Sequence, residues 1–313
     1  MTVLQIVGNQ SGAGKTSLAA ALVIKANTAN KKAVYYKPLS EPDGADPDVE
    51  FIENLLTSIN APNISDSSSV NILSSPQETI AKLNTSSDIV IIERTSTEVP
   101  LDVDSKVILI HQYSQQSSIT ESITLAGPNL AGIVVNATPI HRRDEVVRKL
   151  SGITSIPIAV IPESRCMLTV TVEQLANHLG GQWVLDPVNN NAPVERFMIG
   201  GNILDEGPTY FDRYPNQAVI TRVERPDIQM ASMCEKTCCL ILTGPGEPTE
   251  YIKAEAFKRE VPLIQVRTNT MDTAEALVGL IDQANARTSI KAHHFADLLE
   301  THMGAKSLNQ ILG

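Results

Sequence analysis

Short apolar runs and helical patterns alternate along the first two-thirds of the chain. The apolar runs are rich in β-branched residues and nearly continuous, which is typical of strands buried on both faces of a sheet. They predict strands at Val3–Val7, Ala33–Tyr36, Asp88–Ile92, Lys106–Ile110, Ala131–Val135 and Pro157–Val160. Helical patterns lie between them at Lys15–Ala29, Val49–Leu56, Pro76–Leu83 and Arg143–Leu150. This alternation predicts an α/β fold, with a mainly parallel sheet and helices on both faces.

A second, smaller α/β region is predicted beyond a polar stretch at Asp186–Pro193. That stretch combines two prolines with three asparagines, which is typical of a linker. After it, strand patterns alternate with helical patterns. The strand patterns lie at Asn216–Thr221, Cys238–Thr243 and Pro262–Val266, and the helical patterns at Pro226–Glu235, Pro248–Arg259 and Asp272–Ala284. An amphipathic segment follows at Ala292–His302. We therefore expect two domains, residues 1–187 and residues 188–313.

Composition and charge exclude several classes of partner. The 313 residues include 25 Lys and Arg against 35 Asp and Glu, which gives a net charge of −10. Sequence-independent nucleic-acid binding needs clustered basic side chains, so this acidic chain is not expected to bind nucleic acid. Its apolar runs are far shorter than the roughly 18–20 residues of a membrane span. The chain opens on a strand pattern without a basic leader, so we expect a cytoplasmic protein.

A glycine-rich segment, Gly8–Thr16, lies between the first predicted strand and the first predicted helix. It reads Gly-Asn-Gln-Ser-Gly-Ala-Gly-Lys-Thr, and its last three residues are those of a phosphate-binding P-loop. Glycines let backbone amides turn towards phosphate oxygens, and the positive end of the helix dipole favours the same anion. The pattern predicts ATP and Mg²⁺ as cofactors. The nucleotide-binding residues would be Gly12, Ala13, Gly14, Lys15, Thr16 and Ser17, with Lys15 also catalytic and Thr16 also a metal ligand.

Three further residues are candidates for the same site because they follow neighbouring strands. Glu93 ends the third predicted strand, where the carboxyl edge of a parallel sheet holds ligands, and is expected to bind the metal. Lys37 follows the second strand and is a candidate catalytic lysine, or else a surface lysine. Asp46 precedes the helical pattern at Val49–Leu56, and two interpretations stay open for it: an N-cap followed by Pro47, or a metal ligand, with Asp48 as the alternative residue for that role.

The order of these features resembles a known family. Gly8–Thr16 is spaced as Gly-x5-Gly-Lys-Thr, Lys37-Pro38 follows the second strand, and Glu93 ends the third. In these features residues 1–185 resemble the dethiobiotin synthetase-like branch of P-loop proteins. The resemblance implies that Asn136, which closes an apolar strand, helps to select the nucleotide base. It also implies that Pro162 and Glu163 lie beside that base.

The second half carries a further resemblance. Ile199-Gly200-Gly201 and the segment Ala218–Ile228 resemble the opening and the central strand–turn–helix of a DRTGG domain. The combination is similar to the N-terminal half of long bacterial phosphate acetyltransferases, without room for their catalytic domain. It implies a small-molecule or anion ligand at the second domain. Arg222 and Arg225 flank the predicted strand-to-helix turn, and two interpretations stay open for them: an anion site together with the helix N-terminus, or ordinary surface ion pairs.

Three functional hypotheses follow. The first is a Mg-ATP-binding regulatory or sensor protein with weak ATPase activity. It is favoured because Arg94 stands where dethiobiotin synthetases have a glycine, within Glu93-Arg94-Thr95-Ser96. The second is an ATP-dependent ligase that phosphorylates a small carboxylate or carbamate. The third is a non-enzymatic oligomeric scaffold, and in each case a homo-oligomer, a dimer, is expected.

Overall fold

The chain forms two compact units in a computed structural model that describes residues 2–38, 46–59, 76–83, 87–94, 100–116, 118–201 and 207–313. The first unit contains Met1–Ser164 and Ala286–Gly313, and the second contains Arg165–Asn285. Thr95 and Ser96, which enter the sequence comparison with dethiobiotin synthetases, lie outside the described residues.

The first unit is built on a six-stranded sheet in which all neighbouring strands are parallel. Its strands are β1 (Thr2–Gly8), β2 (Ala33–Tyr36), β3 (Ile89–Glu93), β4 (Lys106–Gln112), β5 (Leu130–Thr138) and β6 (Ile158–Pro162). The order across the sheet is β2-β3-β1-β4-β5-β6, so β1 lies between β3 and β4. The helices of the first segment are α1 (Lys15–Thr28), α2 (Pro47–Ser58), α3 (Pro76–Leu83), α4 (Ile119–Ala126) and α5 (Arg143–Ser151).

The second unit has a smaller, five-stranded sheet. Its elements are β7 (Val170–Thr171), α6 (Val172–His178), β8 (Gln182–Trp183), β9 (Pro193–Val194), β10 (Arg196–Gly200), α7 (Gly207–Phe211), β11 (Gln217–Arg222), α8 (Pro226–Ser232), β12 (Thr237–Thr243), α9 (Glu250–Lys258), β13 (Leu263–Val266) and α10 (Thr270–Ala276). The order is β10-β11-β12-β13-β8, parallel except for β8, while β7 and β9 form a separate antiparallel pair. Successive residues of β11 enter opposite cores, Ala218 and Ile220 on one face and Val219 on the other, so the sheet is buried on both sides.

The last two helices, α11 (Ser289–Met303) and α12 (Ala305–Leu312), belong to the first unit rather than to the second. Lys25 of α1 is ion-paired with Glu300 of α11 at 2.6 Å. Lys106 of β4 donates to the carbonyl of Gln310 in α12 at 2.9 Å. The division therefore differs from the linear one expected at residues 187 and 188, and Asp186–Pro193 lies inside the second unit.

The predicted fold class is confirmed: a parallel α/β sheet with flanking helices, plus a second, smaller α/β unit. The short elements α4, α6 and β7 to β9 have no counterpart among the predicted strands and helices, because two- to eight-residue elements carry little periodicity. Within the described ranges, none of the helices combines the length and the apolar character that crossing a bilayer demands.

Candidate functional site

The glycine-rich loop joins β1 to α1 at the carboxyl edge of the first sheet. Gly12 and Gly14 have φ angles of +75° and +103°, a left-handed backbone that glycine adopts without strain. Gly14 is the N-cap of α1, and no side chain caps this helix end. The first-turn amides of a helix have no intrahelical acceptor, so this end of α1 is suited to an anion.

Lys15 is the best-placed cation of this loop. It is only 9 % exposed, and its aliphatic stem folds over Gly8, where a β-carbon would lie 3.2 Å from Lys15 Cδ. Burial lowers the pKa of its ammonium, although the carboxylate of Glu93 acts in the opposite direction. Among the residues that the structure describes, this ammonium makes no hydrogen bond and no ion pair. A buried, unpartnered cation at an uncapped helix end fits a phosphate ligand.

Thr16 and Glu93 meet beside Lys15, as the sequence predicts. The pairing of β1 with β3 places Glu93 opposite Ile6, two residues before the end of β1. Thr16 Oγ1 donates to Glu93 Oε1 at 3.0 Å, and Tyr35 from β2 donates its hydroxyl to Glu93 Oε2 at 2.8 Å. Both carboxylate oxygens of Glu93 are therefore held in place by hydroxyl groups.

The electrostatics of Glu93 follow from its burial. The residue is 3 % exposed, and this burial raises the pKa of its carboxyl group, while the hydrogen bond from Tyr35 and the charge of Lys37 act in the opposite direction. Burial and the neighbouring Glu93 carboxylate also raise the pKa of Tyr35, so its hydroxyl remains a donor. An oxygen pair from a hydroxyl and a carboxylate suits a hard cation such as Mg²⁺.

Lys37 and Asp46 form a second charged cluster with Asp48 and with Arg287, a residue that the sequence does not single out. The Lys37 ammonium is 2.7 Å from Asp46 Oδ2 and 2.5 Å from Asp48 Oδ2. Arg287, which precedes α11, contacts the other oxygen of Asp48 at 2.8 Å. Burial opposes ionisation of Asp48, but the two cations outweigh it and lower the pKa of this carboxyl group.

Asp46 combines its predicted N-cap position with this ion pair. Its side chain accepts from the amide of Asp48 at 2.8 Å, which is the N-cap geometry of α2, with Pro47 following. Among the described contacts its carboxylate is paired with Lys37 and not with Thr16 or Glu93. A metal-ligating role of Asp46 and a catalytic role of Lys37 stay predictions.

Asn136, expected near the nucleotide base, contacts the loop itself. Its Nδ2 donates to the carbonyl oxygen of Ala13 at 3.0 Å, and its Oδ1 accepts from the amide of Ala137 at 2.9 Å. Pro162 pairs with Thr138 on β5, and the amide of Glu163 donates to the Thr138 carbonyl at 3.0 Å. These residues end neighbouring strands, and their contact with a base stays a prediction.

Several residues that support the loop carry no signal in the sequence. Asn9 occupies the position of the first glycine in the strict P-loop pattern Gly-x4-Gly-Lys-Thr. Its Oδ1 accepts a hydrogen bond from the backbone amide of Gln112 at 2.9 Å. The side-chain amide of Gln10 donates to Gln112 Oε1 at 2.6 Å. These two contacts fix the loop to Gln112 at the end of β4, and the hydroxyl of Tyr35 on β2 fixes the carboxylate of Glu93. Ser17, in the first turn of α1, is buried.

Of the two candidate anion residues of the second unit, Arg225 is engaged in other contacts. Arg225 is paired with Asp227 at 2.7 Å and also donates to the carbonyl of Gly201 at 3.3 Å. Its guanidinium therefore already has oxygen partners. Arg222 ends β11 and is exposed.

Comparison with known proteins identifies a domain in the second unit. Residues 174–280 match the family model of the DRTGG domain, so the sequence prediction of such a domain is confirmed. The match covers about a third of the chain and lies within Arg165–Asn285.

Three solved structures resemble parts of the chain at low identity. The first comprises the CBS and DRTGG domains of the regulatory region of Clostridium perfringens pyrophosphatase, complexed with the activator diadenosine tetraphosphate; the identity is 13 %, the match covers 49 % of this chain and 75 % of that one, and the TM-score is 0.32. The second is a DUF1611 family protein from Anabaena variabilis, with 13 % identity, coverage of 50 % of this chain and 52 % of that one, and a TM-score of 0.35. The third is the septum site-determining protein MinD from Pyrococcus horikoshii, complexed with Mg-ADP, with 14 % identity, coverage of 53 % of this chain and 83 % of that one, and a TM-score of 0.33. TM-scores in this range assign no function to either unit.

Proposed function

We propose that the protein is a nucleotide-responsive regulatory protein whose first unit binds ATP with Mg²⁺ at the glycine-rich loop. The observation that carries this proposal is the buried Lys15 ammonium without a partner among the described residues, at the uncapped N-terminus of α1. Phosphate oxygens would satisfy both the ammonium and the free amides of the helix. The DRTGG domain would then be the part of the chain that transmits or receives the signal.

Thr16 and Glu93 are the residues that would hold Mg²⁺ beside the phosphates. Their side-chain oxygens already lie 3.0 Å apart, and Tyr35 orients the carboxylate from the opposite side. A bound Mg²⁺ would neutralise charge on the phosphate oxygens and so favour phosphoryl transfer to water. We infer a weak ATPase activity from this arrangement, with Lys15 stabilising charge on the phosphate.

The geometry favours regulation over a ligase of the dethiobiotin synthetase type. A ligase would use Lys37 to stabilise the transferring phosphoryl group. In the structure, Asp46 and Asp48 both contact the Lys37 ammonium, and their two negative charges offset its single positive charge. The resemblance to phosphate acetyltransferases with an N-terminal dethiobiotin synthetase-like domain and a dimeric assembly remain parts of the proposal. ADP release that depends strictly on a small carboxylate or carbamate would favour the ligase instead.

Glu93→Gln tests the metal-binding part of the proposal. We expect this variant to bind Mg-ATP about tenfold more weakly, because it loses the carboxylate that holds or orients the metal. Its affinity for ATP in excess EDTA should equal that of the wild-type protein. Calorimetric titrations with and without Mg²⁺ measure both quantities, and Glu50→Gln, an exposed glutamate on α2, is the matched control. An unchanged affinity for Mg-ATP would remove Glu93 from the metal site.

Glu93→Gln also tests a prediction about the stability of the protein in metal-free buffer. Because burial raises the pKa of Glu93 in the folded state, this group contributes stability at acid pH that is lost as pH rises through its folded-state pKa. The free energy of unfolding of the wild-type protein should therefore fall relative to that of Glu93→Gln between acid and neutral pH. Urea unfolding of both proteins across this range measures the difference.

A further inference from the structure

A cavity of about 360 Å³ lies in the second unit, and neither of the candidate anion residues Arg222 and Arg225 lines it. It opens beside β10, an edge strand whose one neighbour in the sheet is β11. Its volume is within the range of small-molecule pockets, about 300–1,000 Å³. The cavity is formed wholly by residues of Arg165–Asn285.

Apolar side chains form most of the cavity wall. Val170, Val194 and Leu280 are buried and belong to the core on one face of the second sheet. Leu168 and Ile281 are 51 % and 59 % exposed, although both are large aliphatic side chains. An apolar ligand body placed here would remove this exposed aliphatic surface from water.

Two guanidinium groups, from Arg165 and Arg196, stand in this apolar wall. Arg196 lies over the ring of Tyr214, with 4.3 Å between its Cζ and the ring centroid. Among the described residues, neither guanidinium makes an ion pair or a hydrogen bond. The carboxylate of Glu195 also lines the cavity, and its Oε1 accepts from the Asn216 side chain at 2.9 Å instead of pairing with either arginine.

We propose that this cavity binds a small organic anion, with an apolar body among Leu168, Leu280 and Ile281 and a carboxylate or phosphate on Arg165 and Arg196. A guanidinium group presents paired donors that match both of these anions. The cation–π contact with Tyr214 holds Arg196 in place, which reduces the entropy lost when an anion binds. This site lies in the other unit from the glycine-rich loop, so it goes beyond the proposed ATP site and stands or fails separately from it.

The test uses two fluorescent probes on the full chain. The anion 8-anilinonaphthalene-1-sulfonate and the neutral N-phenyl-1-naphthylamine share one ring system and differ by the sulfonate. We expect the wild-type protein to bind one equivalent of the anionic probe. In the double variant Arg165→Gln, Arg196→Gln, its affinity should fall about tenfold or more, because two charge-assisted contacts are lost. The affinity for the neutral probe should stay within about twofold, since the apolar wall is unchanged.

Two further variants separate the cavity from the rest of the surface. Arg213→Gln is the matched control, because Arg213 also lies over a tyrosine ring, that of Tyr210 at 5.0 Å, but does not line the cavity. It should bind both probes like the wild-type protein. Ile281→Trp, at an exposed position of the wall, should weaken binding of both probes by occupying the cavity.

Competition identifies the anionic group. Displacement of the bound anionic probe by hexanoate points to a carboxylate ligand, and displacement by phenyl phosphate points to a phosphate ligand. The proposal is overturned if neither displaces the probe, or if the double variant binds the anionic probe like the wild-type protein. Light scattering shows whether the wild-type protein forms a dimer that dissociates on dilution. The proposal is also overturned if the protein binds the probe only after such dissociation, since a second copy would then cover the cavity in the dimer.

Discussion

Lys15→Met is expected to weaken the binding of Mg-ATP by at least about 100-fold, because the ammonium is a charged donor to the phosphates and charge-assisted contacts of this kind contribute roughly 3 kcal/mol. Methionine keeps the aliphatic stem that covers Gly8 and removes only the charge. Isothermal titration calorimetry measures the change. Lys253→Met, which alters a lysine ion-paired with Glu250 on the second unit, is the control and should bind Mg-ATP like the wild-type protein.

The stability of the Lys15→Met variant separates loss of binding from loss of folding. Burial lowers the pKa of Lys15 in the folded state, so the charged lysine destabilises the unliganded protein and the wild-type gains stability as pH rises towards the ordinary lysine pKa. The variant lacks this gain, and near neutral pH it should unfold at the same urea concentration as the wild-type or at a higher one. A variant that binds nothing because it has unfolded would contradict this account of Lys15.

Gly14→Ala is expected to destabilise the first unit by about 2–3 kcal/mol and to abolish Mg-ATP binding, because two separate costs add at this position. The φ angle of +103° is strained for alanine, and the added β-carbon would lie 2.6 Å from Nδ2 of Asn136. Moving Asn136 aside breaks its hydrogen bond to the Ala13 carbonyl and so releases the loop. Urea unfolding and calorimetric titration measure the two effects.

The chain offers a matched control for the backbone part of this effect. Gly180 has a φ of +58°, close to the left-handed helical value, and a β-carbon there would have nothing within 4 Å, so Gly180→Ala should cost only about 1 kcal/mol and leave Mg-ATP binding intact. Asn136→Ala removes the side-chain amide with which the new β-carbon at position 14 would clash. The double variant Gly14→Ala, Asn136→Ala should therefore lose less stability than the sum of the two single variants. Additive losses, or equal losses for Gly14→Ala and Gly180→Ala, would contradict the clash.

Much of the proposed nucleotide site follows from local sequence and from the geometry of parallel sheets. The glycine-rich motif fixes a turn between a strand and a helix, and Glu93 follows a run of apolar residues. Since the carboxyl ends of parallel strands share one edge, Thr16 and Glu93 were expected to meet, and they lie within hydrogen-bonding distance. The β-branched runs likewise predict the six strands of the first sheet to within a few residues.

The contacts around this site could not be predicted, because they depend on tertiary packing. Tyr35 sits in a short apolar strand, and a sequence pattern does not show that its hydroxyl reaches Glu93 on the neighbouring strand. Asp48 and Arg287 are 239 residues apart, and no local pattern relates them. Asn136 supports the Ala13 carbonyl from β5, a contact set by the order of strands in the sheet.

The division into two units likewise depends on tertiary packing and not on the sequence pattern alone. The amphipathic pattern at Ala292–His302 predicts a helix, and α11 covers that range. Its apolar face includes Phe295 and Leu299, which are buried, but amphipathicity does not specify the sheet on which a helix packs. In the structure α11 belongs to the first unit, so the first unit is made of two separate segments of the chain.

Titration of the wild-type chain with Mg-ATP near neutral pH, followed by isothermal calorimetry, tests the central claim most directly. We expect saturable binding of one nucleotide per chain with a Kd below about 0.1 mM. Binding should weaken when EDTA removes the Mg²⁺ and should disappear in Lys15→Met. No binding at millimolar Mg-ATP, or equal binding by the wild-type and Lys15→Met, would contradict a nucleotide site at the glycine-rich loop.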